Sequence, residues 1–145
     1  MIGFEIEEKG RKLTQEMYTK NFLTNRITLL GEATNSNVSK YITEKTLFIC
    51  DCEGAELDIL DTNKVPEFLK VETAIIELHD FIHPGIKEAL LERFKNTHNI
   101  QIIRFALANP NDFPFFSEVK NKKDLYEIRR ERGWQEQEWM ILEKK

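Results

Sequence analysis

Residues 48–56 read Phe-Ile-Cys-Asp-Cys-Glu-Gly-Ala-Glu. A short apolar run ends in Asp51, a second acid, Glu53, follows two residues on, and Gly54 then turns the chain towards a new helical segment. Apolar run, acid, glycine and helix in that order describe a strand handing over to a helix in an open α/β sheet. In such sheets ligands bind outside the carboxyl ends of the strands. Carboxylates clustered at a strand end are therefore placed for chemistry rather than for packing.

The rest of the chain alternates in the same way. Residues 2–6 form a short strand ending in acids, and 7–22 a helix with Leu13 and Met17 four apart on its apolar face. Strands follow at 26–30, closed by Gly31, and at 46–50. The latter has little alternation, as expected of a strand buried on both faces. A short polar helix fits 35–41 and a helical turn 56–60, with Pro66 restarting the chain beyond it. Residues 73–78 form a fourth strand. Residues 84–95 form the clearest helix, with Ile86, Leu90 and Phe94 at i, i+4 and i+8 and Pro84 at its start. A fifth strand covers 100–105, an irregular loop 106–116, a helix 117–132 closed by Gly133, and a last strand 138–142. The alternation predicts βαβ units in a mostly parallel, Rossmann-like sheet with helices on both faces. The last strand is expected to run antiparallel and to close one edge.

At 145 residues this is one domain. A net charge of −4 argues against a nucleic-acid binder that relies on a basic face. The cluster Lys120, Lys122, Lys123, Arg129 and Arg130 is interleaved with Asp124, Glu127 and Glu131, which reads as a solvated helix face. No apolar run approaches the roughly 20 residues of a spanning helix, so no membrane partner is expected. Cys50 and Cys52, two apart on a strand, share a face but cannot easily bridge in extended backbone. Free thiols in a reducing cytoplasm are the expectation.

Five groups of residues carry candidate chemistry. Glu5, at the end of the first strand, either accepts ribose hydroxyls or caps the next helix. Glu32, after Gly31, either accepts from an adenine amino group or faces solvent in a turn. Asp51 and Glu53 can position a hydroxyl, bind a cation or act as a base, the alternative being that Asp51 caps the next helix. Gly54 supplies close backbone approach or a positive φ. Glu77, His79, Asp80 and His83 gather at the end of the fourth strand. His79 or Glu77 near Asp51 suits a general base. The His79-x-x-x-His83 spacing suits a metal only on a helix, so no metal is expected. His98 reads as an incidental loop residue. Phe113, Phe115 and Phe116 with Pro110 and Pro114 form either a substrate wall or a cover for the sheet edge. The six glycines never reach G-x-G-x-x-G spacing, and neither a Walker sequence nor a G-x-S-x-G elbow is present.

Taken in order, 2–7, 25–33 and 48–56 resemble the second to fourth strands of a class I S-adenosylmethionine-dependent methyltransferase. The Asp-x-Glu-Gly-x-Glu element is similar to the FkbM-like branch, whose members are often O-methyltransferases. The resemblance covers residues 2–105 and implies a role for each matching residue. Glu5 matches the acid on the cofactor ribose, Glu32 with Ala33 the adenine contact, and Asp51 the acid facing the methyl-transfer site. Glu77 and His79 match the substrate-orienting end of the next strand. Asp51 or His79 is then the base, and the acceptor is a small molecule or sugar. The family's first strand and its glycine-rich turn have no counterpart here. That strand is central in the family sheet, between those at 2–6 and 46–50. The resemblance thus implies an N-terminally truncated domain that binds the cofactor weakly or not at all alone. Three outcomes are then open: the two strands flanking the gap pair directly, another chain, such as a second copy, supplies the strand or covers the gap, or the sequence is a partial reading frame of a longer enzyme. The alternative function is a non-catalytic α/β module that binds a partner through that edge.

Overall fold

The computed structural model describes residues 1–104, 118–124 and 137–145. The expected loop 106–116 with its phenylalanines lies outside these residues, as do Gly133 and most of the helix expected over 117–132. The elements run β1 (Ile2–Phe4), α1 (Glu8–Lys20), β2 (Thr28–Leu30), α2 (Asn35–Val38), β3 (Leu47–Cys50), α3 (Glu56–Ile59), a 3-10 helix (Pro66–Lys70), β4 (Thr73–Leu78), α4 (Ile86–Phe94), β5 (His98–Arg104) and β6 (Glu138–Lys144).

The fold is mixed α/β, but the described strands make two small sheets instead of one mostly parallel sheet. β1 and β2 pair in parallel, with Ile2 opposite Thr28. The second sheet has the order β3-β4-β6-β5. β3 and β4 are parallel, with Cys50 opposite Ile76. β6 runs antiparallel to both β4 and β5. β6 is antiparallel as expected, yet it lies inside the sheet instead of closing an edge. Its composition accounts for this: Met140 and Leu142 are buried on one face while Trp139 and Ile141 are half-buried on the other. A strand covered on both faces belongs in a sheet interior.

Among the described strands β1 and β3 do not pair with each other; β1 pairs with β2 and β3 with β4. β3 is also not buried on both faces. Leu47 and Ile49 are 60 % and 64 % exposed, whereas Cys50 between β3 and the core is buried.

The core sits between the larger sheet and its helices. Ile76 and Leu78 of β4 meet Ile86, Leu90 and Phe94 of α4, joined by Met140, Leu142, Leu60, Val65 and Phe68. Fully burying one such side chain contributes about 1.5–3 kcal/mol. α4 has the expected apolar stripe. Its N-terminal amides are satisfied by Asp80, whose carboxylate accepts from Gly85 N and Lys87 N. In α1 the expected inward face is corrected: Leu13 and Met17 are exposed, and Tyr18 is the buried residue. The short β1–β2 ribbon offers too little surface to cover a whole helical stripe. His98 is likewise corrected. It lies in β5, buried, and contacts Val71 O at 2.9 Å and Thr97 Oγ1 at 2.8 Å.

Candidate functional site

β3 and β4 are parallel neighbours, so their carboxyl ends emerge together. Cys50 is level with Ile76, which sets Asp51 beside Glu77 one residue further on. Glu77 and His79, two apart, fall on one side of the same extended line. Both are wholly buried, in contrast to Asp51 and Glu53, which are exposed.

His79 is the hub. Its Nε2 stands 3.7 Å from Asp51 Oδ1, 3.5 Å from Glu53 Oε2 and 3.8 Å from Glu77 Oε1. On the opposite side of the ring, Nδ1 is in close contact with Oε1 of Glu56, the first residue of α3, itself wholly buried. A carboxylate can only accept, so Nδ1 carries a proton toward Glu56, and Nε2 is the ring nitrogen that faces the three other acids. Glu77 is held in turn: the side chain of Gln137, ahead of β6, donates to its Oε1 at 3.0 Å. Buried polar groups with such dedicated partners keep a fixed orientation.

The turn that delivers these acids is tightly constrained. Glu53 and Gly54 both have positive φ, 53° and 102°. A Cβ on Gly54 would stand 2.5 Å from His83 Cδ2. Both properties expected of that glycine, positive φ and close approach, are present. The N-cap of α3 is Ala55, which provides no side-chain cap. Cys50 and Cys52 are free, with sulfurs 3.4 Å apart. The hydrogen bond to Cys52 and burial push the Cys50 thiol well above its ordinary pKa, which keeps it from acting as a thiolate nucleophile.

Beside this cluster lies a cleft of about 430 Å³ between β1 and β3. Gly3 and Phe4 form one wall, Phe48 and Asp51 the other, and Ala33 and Val38 line it as well. Of the four residues that the resemblance places around the cofactor, Ala33 and Asp51 both line this cleft. Glu5 does not line it. Its carboxylate accepts from Glu7 N at 2.8 Å, ahead of α1, and its side chain packs on Gly10. Glu32 is exposed in the turn after β2, where its carbonyl accepts from Asn37 Nδ2 at 2.6 Å.

Two contributors to the cluster were not singled out from sequence. Glu56 carries a visible signal, being the last acid of the Asp-x-Glu-Gly-x-Glu element. Gln137 carries none. No protein-family model matches the chain, and no curated protein matches it.

Proposed function

We propose that the chain carries the acceptor side of an S-adenosylmethionine-dependent methyltransferase site of the Rossmann-like, FkbM-like kind, acting on a hydroxyl of a small molecule or sugar. The observation that carries this reading is the meeting of Ala33 and Asp51 in one cleft, with Asp51 also at the His79 cluster. Bound S-adenosylmethionine would supply an electrophilic methyl group to the hydroxyl oxygen and leave as a neutral thioether, and the chain's part would be to align the hydroxyl and take its proton. Alignment and a base are the two demands on the protein. His79 Nε2 supplies the base, and Glu56 fixes its tautomer. Asp51, Glu53 and Glu77 orient the acceptor and stabilise the imidazolium formed.

The test is a titration of the isotope-labelled chain with S-adenosylmethionine, followed by amide chemical shifts. Weak, millimolar binding is expected, because the sequence has no glycine-rich turn to grip the methionine end. The shifts concentrate at Ala33, Asp51 and Cys52. Their absence at saturating ligand, or shifts confined to other surfaces, overturns the reading.

A second use of the cleft is favoured by its open walls. Among the described residues β1 and β3 each have one edge with no strand partner, and Leu47 and Ile49 are exposed beside it. Open edges of this kind accept an added strand. In this reading the chain is a binding module, and a second copy covering the edge is its simplest partner.

A further inference from the structure

We propose that Asp51, Glu77 and His79 form a binding site for a divalent first-row transition-metal ion of the manganese(II), iron(II) or cobalt(II) class. The sequence offers cation binding only as one option for Asp51 and Glu53, and the His79–His83 pair is wrongly set for a metal. The site arises from strand register, which unites one histidine with acids from two different strands.

Asp51, Glu77 and His79 offer one ligand atom each, all within 4.8 Å of one another. The separations from Nε2, 3.7 Å to Asp51 and 3.8 Å to Glu77, suit a shared ion. Bonds of about 2.2 Å would then subtend an angle of about 120° at the metal. One imidazole with two carboxylates is a mixed nitrogen and hard-oxygen set, which points to that group of ions. Three protein ligands leave positions open for water or an acceptor oxygen.

The buried ligands are also supported from behind. Glu56 holds Nδ1 of His79, and Gln137 holds Oε1 of Glu77. A carboxylate behind a ligating histidine is the usual means of fixing its tautomer and raising its basicity. One atom of this support is itself unsatisfied. Glu56 is wholly buried, yet its second oxygen, Oε2, has no hydrogen-bond partner among the described residues. An unsatisfied buried carboxylate oxygen is costly.

A bound ion occupies the Nε2 lone pair, so while it is present His79 accepts no proton. Metal binding and methyl transfer are therefore read by separate measurements, and failure of one leaves the other standing.

The experiment is calorimetric titration of the chelator-treated chain with manganese(II), paired with the visible spectrum of its cobalt(II) form. One equivalent of either ion binds, and cobalt(II) develops ligand-field bands. Asp51→Asn, at an exposed position that leaves the fold intact by circular dichroism, weakens binding by at least about tenfold. Glu56→Gln, which touches only the far side of the ring, weakens it by about 10–100-fold. Should Glu56→Gln fail to fold, Asp51→Asn alone decides. No saturable binding of either ion, or Asp51→Asn binding as tightly as the parent chain, overturns the proposal.

Discussion

The Glu56 carboxylate and the His79 imidazole meet with both side chains wholly buried, Oε1 against Nδ1. They lie 23 residues apart in sequence. Their contact ties the first turn of α3 to the end of β4, so it has a structural consequence as well as a chemical one. Removing one member of a buried polar pair leaves the other without its partner. Glu56→Ala is expected to lower stability by about 3 kcal/mol. Glu56→Gln keeps an acceptor for Nδ1 and is expected to cost about 1 kcal/mol. Urea unfolding of the two variants checks this. Equal losses would mean that the contact contributes only packing.

How much of this site was legible beforehand depended on distance along the chain. β4 was found with its bounds intact because an unbroken apolar run between turn signals has few alternatives. The stripe Ile86, Leu90 and Phe94 identified α4 for the same reason: the 3.6-residue period is local. Asp51, Glu53, Glu77 and His79 were also legible, since acids and a histidine at successive strand ends imply a shared rim. Pairing partners were not legible. Trp139, Met140, Ile141 and Leu142 declare a strand with two apolar faces, and that pattern could have argued for an interior position, but it does not name β4 and β5 as neighbours. Leu13 and Met17 have a helical spacing that the short ribbon of β1 and β2 does not cover. Glu5 had two readings, and its contact with Glu7 N favours the capping one. Gln137 could be found only from coordinates, because its role rests on reaching a residue 60 positions away.

His98 links β5 to the loop before β4, and burial holds its imidazole below the ordinary pKa, with Lys144 and Lys145 adding to the effect. In the unfolded chain the ring titrates near about 6.5. Below that pH the unfolded state binds more protons than the folded one, so stability falls with falling pH until the folded-state pKa is passed. Stability from this residue is complete above the unfolded value and lost on acidification. His98→Gln keeps a donor for Val71 O and does not titrate. The variant is expected to lose part of the slope of unfolding free energy between neutral and mildly acidic pH. One group contributes at most about 1.4 kcal/mol per pH unit. Identical slopes for parent and variant would assign the acid sensitivity elsewhere.

Ile49 distinguishes a bare edge from a covered one. At 64 % exposure it contributes little to the isolated chain, and Ile49→Lys is expected to change stability by no more than about 0.5 kcal/mol. If a second copy covers the open edge of β3, the parent chain associates with rising concentration and the lysine abolishes that association, since an edge charge opposes strand addition. Sedimentation velocity of both chains over a concentration series is the measurement. A parent that stays monomeric throughout removes the second copy as the partner.

Glu138 opens β6 and fixes it to two neighbours. Its Oε2 accepts from Lys87 Nζ of α4 at 2.6 Å, and its Oε1 from Arg104 Nε at the end of β5 at 2.8 Å. The hydrogen bond from Lys87 is the main reason its carboxyl titrates below the ordinary range; Arg104 adds to it. A depressed carboxyl pKa stabilises the fold above the unfolded value of about 4.3 and loses that contribution as pH falls through the folded one. Arg104 is largely solvent-exposed, so its share is screened, while Lys87 is more enclosed. Glu138→Gln is therefore expected to cost about 1 kcal/mol near neutral pH. A double-mutant cycle with Lys87→Met should recover most of that energy as coupling, and one with Arg104→Met little of it. The difference between parent and Glu138→Gln should also shrink on acidification. Equal coupling to both cations would share the tie evenly between α4 and β5 instead of placing most of it between β6 and α4.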